Sequence, residues 1–245
     1  MREKMHALAR RLKAAGVRLV FASAPYAVPP ECCGGREAAR AWWMYEPDEQ
    51  TEGEGGGDAA DDGLARFRRA YQGWEESRRY LAGVWASEGP FDAVLGFSQG
   101  AVVAHQLLRE CAGKLPPPEG CEGLFAAPPA CAVLICGFPA RHGPALPEPP
   151  PREADDDEAL LSPLQQAGAL LPLRCAEVRV RTPALVVVGE RDALVPPALQ
   201  HELAAAIVGA ELLIVAQGHA MPQRSADCAA IVDFILLHAR RAQES

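Results

Sequence analysis

Apolar residues recur along the chain in two spacings, one typical of strands and one typical of helices. Short apolar runs predict strands at residues 17–22, 91–97, 130–136, 183–189 and 211–215. Apolar residues three and four positions apart predict helices at residues 3–15, 64–87, 101–108, 197–207 and 225–240. Strands that alternate with helices indicate a mostly parallel, doubly wound sheet. We therefore expect one α/β domain over residues 1–245.

Two stretches interrupt this alternation and predict loop insertions. Residues 46–63 become rich in Gly, Asp and Glu, whereas residues 138–176 are rich in proline and carry consecutive acids at 155–158. A carboxylate cluster of this kind can bind a metal ion. Consecutive acids in a loop are more often solvated charge, so we expect no metal site there.

Composition narrows the class of protein. The chain has 245 residues, enough for a full hydrophobic core, and a net charge of −8 with no stripe of Lys and Arg, which argues against nucleic-acid binding. No apolar run approaches the roughly 20 residues of a membrane span, and no signal-peptide pattern opens the chain. The eight cysteines form no Cys-x-x-Cys pair. We expect a cytoplasmic protein with reduced thiols and no stable membrane insertion; the oligomeric state stays open.

The second predicted strand ends in Gly96-Phe97-Ser98-Gln99-Gly100, and a helical pattern follows at once. This context predicts a nucleophile elbow, a tight strand-to-helix turn that projects the Ser98 hydroxyl above the sheet edge. We expect glycine at 96 and 100 because a Cβ at either position would crowd the turn. The backbone N–H of Gln99 would then face a developing oxyanion. The alternative is a turn serine without chemistry.

Two further residues follow predicted strands in the same way. Asp192 comes after the strand at 183–189, and His219 comes after the strand at 211–215. The order Ser98, Asp192, His219 is that of α/β-hydrolases, in which a histidine takes the serine proton and an aspartate orients the imidazole. Each residue also has a simpler interpretation, since Asp192 could cap a helix and His219 could be an ordinary loop histidine. None of the other five histidines follows a predicted strand.

The pair Trp42-Trp43 has two interpretations of equal weight. The two rings either pack under a long loop or form the apolar wall of a substrate pocket.

Several segments together resemble the FSH-type serine hydrolases. They are residues 89–101 around the elbow, residues 73–77, the Trp42-Trp43 pair, residues 192–196 and residues 219–222. The resemblance implies an α/β-hydrolase fold with Ser98 as nucleophile, Asp192 as acid and His219 as base. It also implies hydrolysis of a small-molecule carboxylic ester or thioester through an acyl-serine intermediate, with the acyl chain in an apolar pocket and no cofactor.

The sequence departs from that family at its beginning. Family members have a strand and a glycine-containing turn before the helix that residues 2–4 resemble, and the turn supplies a second oxyanion N–H. We expect a sheet that lacks this strand, either with a gap between residues 17–22 and 91–97 or with new pairing. Loss of one oxyanion donor costs on the order of 10²–10³ in rate. The alternative function is therefore a catalytically impaired hydrolase-fold binding protein. A nucleotide-binding Rossmann domain is disfavoured because no Gly-x-Gly-x-x-Gly follows a strand.

Overall fold

A parallel sheet with helices on both faces forms the centre of the fold. The computed structural model describes residues 5–29, 39–45, 71–113, 128–140 and 180–244. The helices in these ranges are α1 His6–Ala14, α2 Trp74–Glu88, α3 Gln99–Cys111, α4 Pro197–Ala205 and α5 Ser225–Gln243. The strands are β1 Tyr26–Ala27, β2 Arg40–Ala41, β3 Met44–Tyr45, β4 Tyr71–Gln72, β5 Ala93–Phe97, β6 Cys131–Ile135, β7 Ala184–Gly189 and β8 Glu211–Val215.

The four longer strands are parallel and lie in the order β5-β6-β7-β8. Their registers pair Leu95 with Val133, and Val187 with Leu213. The carboxyl ends of parallel strands meet at one edge of a sheet, so the residues that follow β5, β7 and β8 are brought together there. This confirms the predicted α/β fold.

Alternate residues of β6 supply the two layers of the core. Val133 and Ile135 pack on the face covered by α1 and α5, together with Leu8, Leu12, Ile231 and Ile235. Ala132 and Leu134 pack on the opposite face with α3 and α4, through Ala104, Leu108 and Leu203. β6 and β7 are buried over their whole length, which explains why both are continuous apolar runs in the sequence.

The predicted strand at residues 17–22 does not form. None of the described ladders includes these residues, and β5 is the last strand of the described sheet on that side. Exposure nevertheless alternates along this segment, because Val17 and Leu19 pack against the core whereas Arg18 and Val20 are exposed. A strand also requires a neighbouring strand to pair with, and this segment pairs with none among the described residues.

Two small antiparallel ladders place the Trp42-Trp43 pair near the sheet. β1 pairs with β2, and β3 pairs with β4, so the two tryptophans lie between β2 and β3. The apolar pattern of the sequence does not predict these two-residue strands. The helix α2 behind them is joined to α3 by a buried ion pair in which Arg78 Nε donates to Glu110 Oε1 at 2.8 Å.

The remaining predicted elements form close to their expected ends, and α2 begins only at Trp74. The predicted insertion at 46–63 and most of the one at 138–176, including the acids at 155–158, lie outside the described residues. Among the helices that the structure describes, none combines the length and apolar composition needed to cross a membrane.

Candidate active site

Ser98 occupies the turn between β5 and α3 in an unusual backbone conformation. Its φ is 56° and its ψ is −124°, whereas non-glycine residues rarely adopt a positive φ. Neighbouring backbone groups hold it there, since Ser98 N–H donates to Ile135 O at 2.9 Å and Ser98 O accepts from Ala101 N–H at 2.9 Å. A strained residue fixed in this way at the start of a helix is the geometry expected of a nucleophile elbow.

The two glycines of the elbow differ in how much space surrounds them. A Cβ on Gly96 would lie 2.0 Å from the carbonyl oxygen of Gly100, so only glycine fits at 96. A Cβ on Gly100 would meet only Trp42 Nε1, at 3.7 Å, which is an ordinary contact. The expected crowding is therefore confirmed at Gly96 and wrong at Gly100.

The carboxylate of Asp192 is fully buried and accepts hydrogen bonds on both oxygens. Oδ1 accepts from the backbone N–H groups of Leu194 at 2.9 Å and Val195 at 2.8 Å. Oδ2 accepts from Gln200 Nε2 at 3.1 Å and lies 2.8 Å from His219 Nδ1. The structure thus brings together two residues that are 27 positions apart in the sequence.

This contact assigns the tautomer of His219. An ionised carboxylate can only accept, so Nδ1 carries the hydrogen and Nε2 keeps its lone pair. The imidazole lies beside the elbow, with its ring centroid 4.8 Å from that of Phe97, the residue before Ser98. Within the described ranges no hydrogen bond joins Ser98 Oγ to His219. Catalytic hydrogen bonds in unliganded sites often close only when substrate binds.

A family model described as Serine hydrolase (FSH1) matches residues 1–231. The chain belongs to the serine hydrolase (FSH1) family.

Individual relatives extend this family assignment over most of the chain. The esterase OVCA2 of Danio rerio is 29% identical over 248 residues, which cover 96% of this chain and 89% of that protein. The OVCA2 esterase of Mus musculus is 28% identical, covering 96% and 88%. An esterase of Aedes aegypti is 26% identical over 88% of this chain, and the match spans 63% of that protein. The solved structure of esterase PE8 shares the fold, with a TM-score of 0.53 at 20% identity, covering 96% of this chain and 86% of that one.

In this serine hydrolase the two tryptophans have different surroundings. Trp43 is 1% exposed and packs edge-on against Trp74, so it belongs to the core. Trp42 is half-buried beside Gly100 and Tyr80, so it stays a candidate for the pocket wall. The side chain of Gln99 binds this segment directly, since its Oε1 accepts from Trp42 N–H at 3.0 Å.

Two residues of the site were missed in the sequence. Gln200 is fully buried in α4 and donates to Asp192, while its Oε1 accepts from Gly189 N–H at 3.0 Å. A polar residue within a helix gives no signal of such a role. Cys136 lies within 4.8 Å of ligand atoms of both Asp192 and His219. It directly follows β6, but the predicted strand at 130–136 included it as its last residue, so the position after a strand did not mark Cys136 in the sequence.

Proposed function

We propose that this protein hydrolyses carboxylic esters or thioesters through an acyl-serine intermediate. The observation that carries the proposal is the 2.8 Å contact between His219 Nδ1 and Asp192 Oδ2, placed beside a serine with φ 56° at the start of α3. The relatives named as esterases support the same reaction class. Ester or thioester cleavage needs a nucleophile, a base and an oxyanion donor, and the proposal gives each role to one residue.

Acylation begins when Ser98 Oγ attacks the carbonyl carbon and its proton passes to His219 Nε2. Asp192 stabilises the imidazolium that forms and keeps Nδ1 protonated. The tetrahedral oxyanion accepts from the backbone N–H of Gln99, the first residue of α3, where helix geometry leaves the amide without an intrahelical acceptor. When the carbon–oxygen or carbon–sulfur bond breaks, the leaving group takes the proton from His219.

Deacylation repeats these steps with water as the nucleophile. His219 takes a proton from water, the hydroxide adds to the acyl carbonyl, and collapse of the second tetrahedral intermediate returns the proton to Ser98 Oγ. The apolar ring of Trp42 forms one wall of the acyl site in this proposal, because it lies next to Gly100 on the turn that carries the nucleophile.

Labelling with a fluorophosphonate, read by intact mass, tests the nucleophile. We expect one adduct on the 245-residue chain, no adduct on Ser98→Ala, and an unchanged adduct on Ser87→Ala, whose serine is exposed at the end of α2. Hydrolysis of p-nitrophenyl esters should likewise be lost in Ser98→Ala and unchanged in Ser87→Ala. Labelling or turnover that persists in Ser98→Ala would refute the proposal.

A second function is a binding protein with this fold and no turnover. The observation that favours it is that Ser98 Oγ makes no hydrogen bond to His219 within the described residues. In that case folded protein would take up no fluorophosphonate and would still bind an ester analogue, as measured by calorimetry.

A further inference from the structure

Cys136 lies under the Asp192–His219 pair. In the sheet order, β6 stands between β5, which leads to Ser98, and β7, which leads to Asp192. Cys136 is the first residue after β6, is 0% exposed, and has a φ of 50°. Its backbone is fixed by a hydrogen bond from Cys136 N–H to Val187 O at 3.0 Å.

The thiol of Cys136 meets both loops that carry the pair. Its Sγ donates to Ala220 O at 3.9 Å, and Ala220 is the residue after His219. The same sulfur lies within 4.8 Å of a carboxylate oxygen of Asp192 and a ring nitrogen of His219. The two loops leave different strands, β7 and β8, so one buried side chain lies close to both.

The surroundings of Cys136 determine the protonation state of its thiol. Burial is the largest cause, followed by the negative charge of Asp192, and together they raise the pKa of Cys136 to about 12. The thiol therefore stays protonated at neutral pH and acts as a donor. A protonated, fully buried thiol is a poor nucleophile, so this residue is not a second reactive centre.

The same three side chains have the composition of a zinc site, but their spacing is that of a hydrogen-bonded cluster. Two ligands of one tetrahedral zinc ion lie about 3.3 Å apart. His219 Nδ1 and Asp192 Oδ2 are only 2.8 Å apart and are hydrogen-bonded to each other. An ion at this place would have to open the contact on which the proposed reaction depends.

We propose that Cys136 is a positioning residue whose S–H group, donated to Ala220 O, holds the His219 loop beside Asp192. The role rests on the proposed function, because it is defined by the pair that activates Ser98. Cys136 touches no substrate and acts only through that pair. Sulfur is a weak donor, but in a buried site a donor that is lost is not replaced by water.

Two substitutions separate hydrogen bonding from packing. Cys136→Ser keeps a donor of similar size, whereas Cys136→Ala removes the donor and leaves the backbone unchanged. We expect kcat for a p-nitrophenyl ester to fall about ten-fold in Cys136→Ala, with KM within two-fold, and to stay within about three-fold of the parent in Cys136→Ser. Cys131→Ala, at a buried cysteine that begins β6, the strand that Cys136 follows, is the matched control and should keep the parent kcat.

A purely structural role would give the opposite order of the two variants. Alanine is tolerated better than serine in an apolar interior, so packing alone would make Cys136→Ala the better enzyme and the more stable protein. Thermal melting of each variant shows whether a change in kcat accompanies a loss of fold. A kcat for Cys136→Ala within two-fold of the parent, or equal losses in both variants, overturns the proposal.

A spectroscopic readout decides the question independently of turnover. The His219 Nδ1 proton, held by Asp192, gives a downfield proton NMR signal that is assigned by its loss in His219→Gln. We expect this signal to be kept in Cys136→Ser and broadened or shifted in Cys136→Ala. An unchanged signal in Cys136→Ala overturns the proposal for Cys136. Absence of Ser98-dependent turnover in the parent refutes only the proposed function.

Discussion

Asp192 shows how a short sequence can fix a carboxylate at the scale of one residue. The turn after β7 points two backbone N–H groups, those of Leu194 and Val195, at Oδ1. The other oxygen, Oδ2, is left for Gln200 and His219. Because the donors at Oδ1 are part of the backbone, the carboxylate cannot rotate without losing both, and Oδ2 stays aimed at the imidazole.

Replacing Asp192 with Asn tests this arrangement. The amide oxygen can take over the bonds to the backbone, so the NH₂ group would face His219 Nδ1 and force that nitrogen to accept. Nε2 would then carry the proton and could not remove the one on Ser98. We expect kcat to fall on the order of 10³–10⁴, the scale found when a protease triad loses its aspartate charge. Steady-state hydrolysis of a p-nitrophenyl ester measures it.

The control for that substitution is Glu190→Gln, at an exposed carboxylate in the same turn. It changes the net charge equally and should leave kcat within two-fold. If Asp192→Asn, shown by melting to be folded, lost less than ten-fold, the orienting role of Asp192 would be wrong.

At the scale of elements, the connection from β5 to α3 depends on one glycine. The carbonyl of Gly100 fills the space where a Cβ at 96 would be, so strand and helix meet with backbone against backbone. The start of α3 is thereby set close to the strand end, which places Ser98 at the turn and the amide of Gln99 beside it.

Alanine at Gly96 should therefore destabilise the fold severely. A Cβ 2.0 Å from a backbone oxygen can be relieved only by moving the helix or the strand, so we expect a loss of about 3 kcal/mol or more in the free energy of unfolding. The same change at Gly83 should be stabilising by up to about 1 kcal/mol, since that position in α2 is exposed, helical and has nothing within 4 Å. Urea unfolding compares the two variants, and a Gly96→Ala protein as stable as Gly83→Ala would contradict the account.

Elements also show where sequence reasoning succeeds and where it fails. The apolar runs at 130–136 and 183–189 correctly predicted β6 and β7. Both strands are buried on both faces of the sheet, and a continuous apolar run is the sequence pattern typical of such strands. The shorter run at 17–22 was also predicted as a strand and joins no described ladder. Pairs such as Tyr26 with Ala41 could not be foreseen, because two-residue strands leave no periodic signal.

For the whole molecule, the buried polar groups of α3 link stability to pH. His105 is 3% exposed, and neither of its ring nitrogens has a hydrogen-bond partner within the part of the chain that the structure describes. Burial, and then the charge of Arg109, lower the pKa of His105 from 6.5 to about 3. The folded protein therefore keeps this imidazole neutral over a range in which the unfolded chain protonates it.

The sign of the resulting pH dependence is fixed by this pKa. Above pH 6.5 His105 is neutral in both the folded and the unfolded chain, so its titration does not change the free energy of unfolding. As the pH falls from 6.5 towards 3, the unfolded chain takes up a proton that the folded chain refuses, so stability falls by about 1.4 kcal/mol per pH unit. We expect His105→Leu to match the parent at pH 7 and to exceed it increasingly below pH 6. Melting temperatures measured from pH 7 to 4.5 would contradict this if the two curves stayed parallel.

The same scale separates what the sequence could show of the site from what it could not. Ser98, Asp192 and His219 each follow a strand, and a parallel sheet brings such positions to one edge, so the sequence alone predicts that these three distant residues share a site. The hydrogen bonds that hold Asp192 also involve residues that no sequence pattern identifies, such as the buried amide of Gln200. The half-buried position of Trp42 and the full burial of Trp43 likewise follow from side-chain packing, which spacing along the chain does not determine.

The hydrogen bond between the Gln99 side chain and the backbone of Trp42 limits how substitutions can alter this part of the protein. The residue proposed to receive the oxyanion also anchors the residue proposed to line the acyl site. In that proposal substrate preference and turnover rate both depend on Gln99, so a change at this residue would affect both together. In directed evolution, variants that accept bulkier acyl groups through movement of Trp42 will lose rate, unless a compensating change re-anchors that segment.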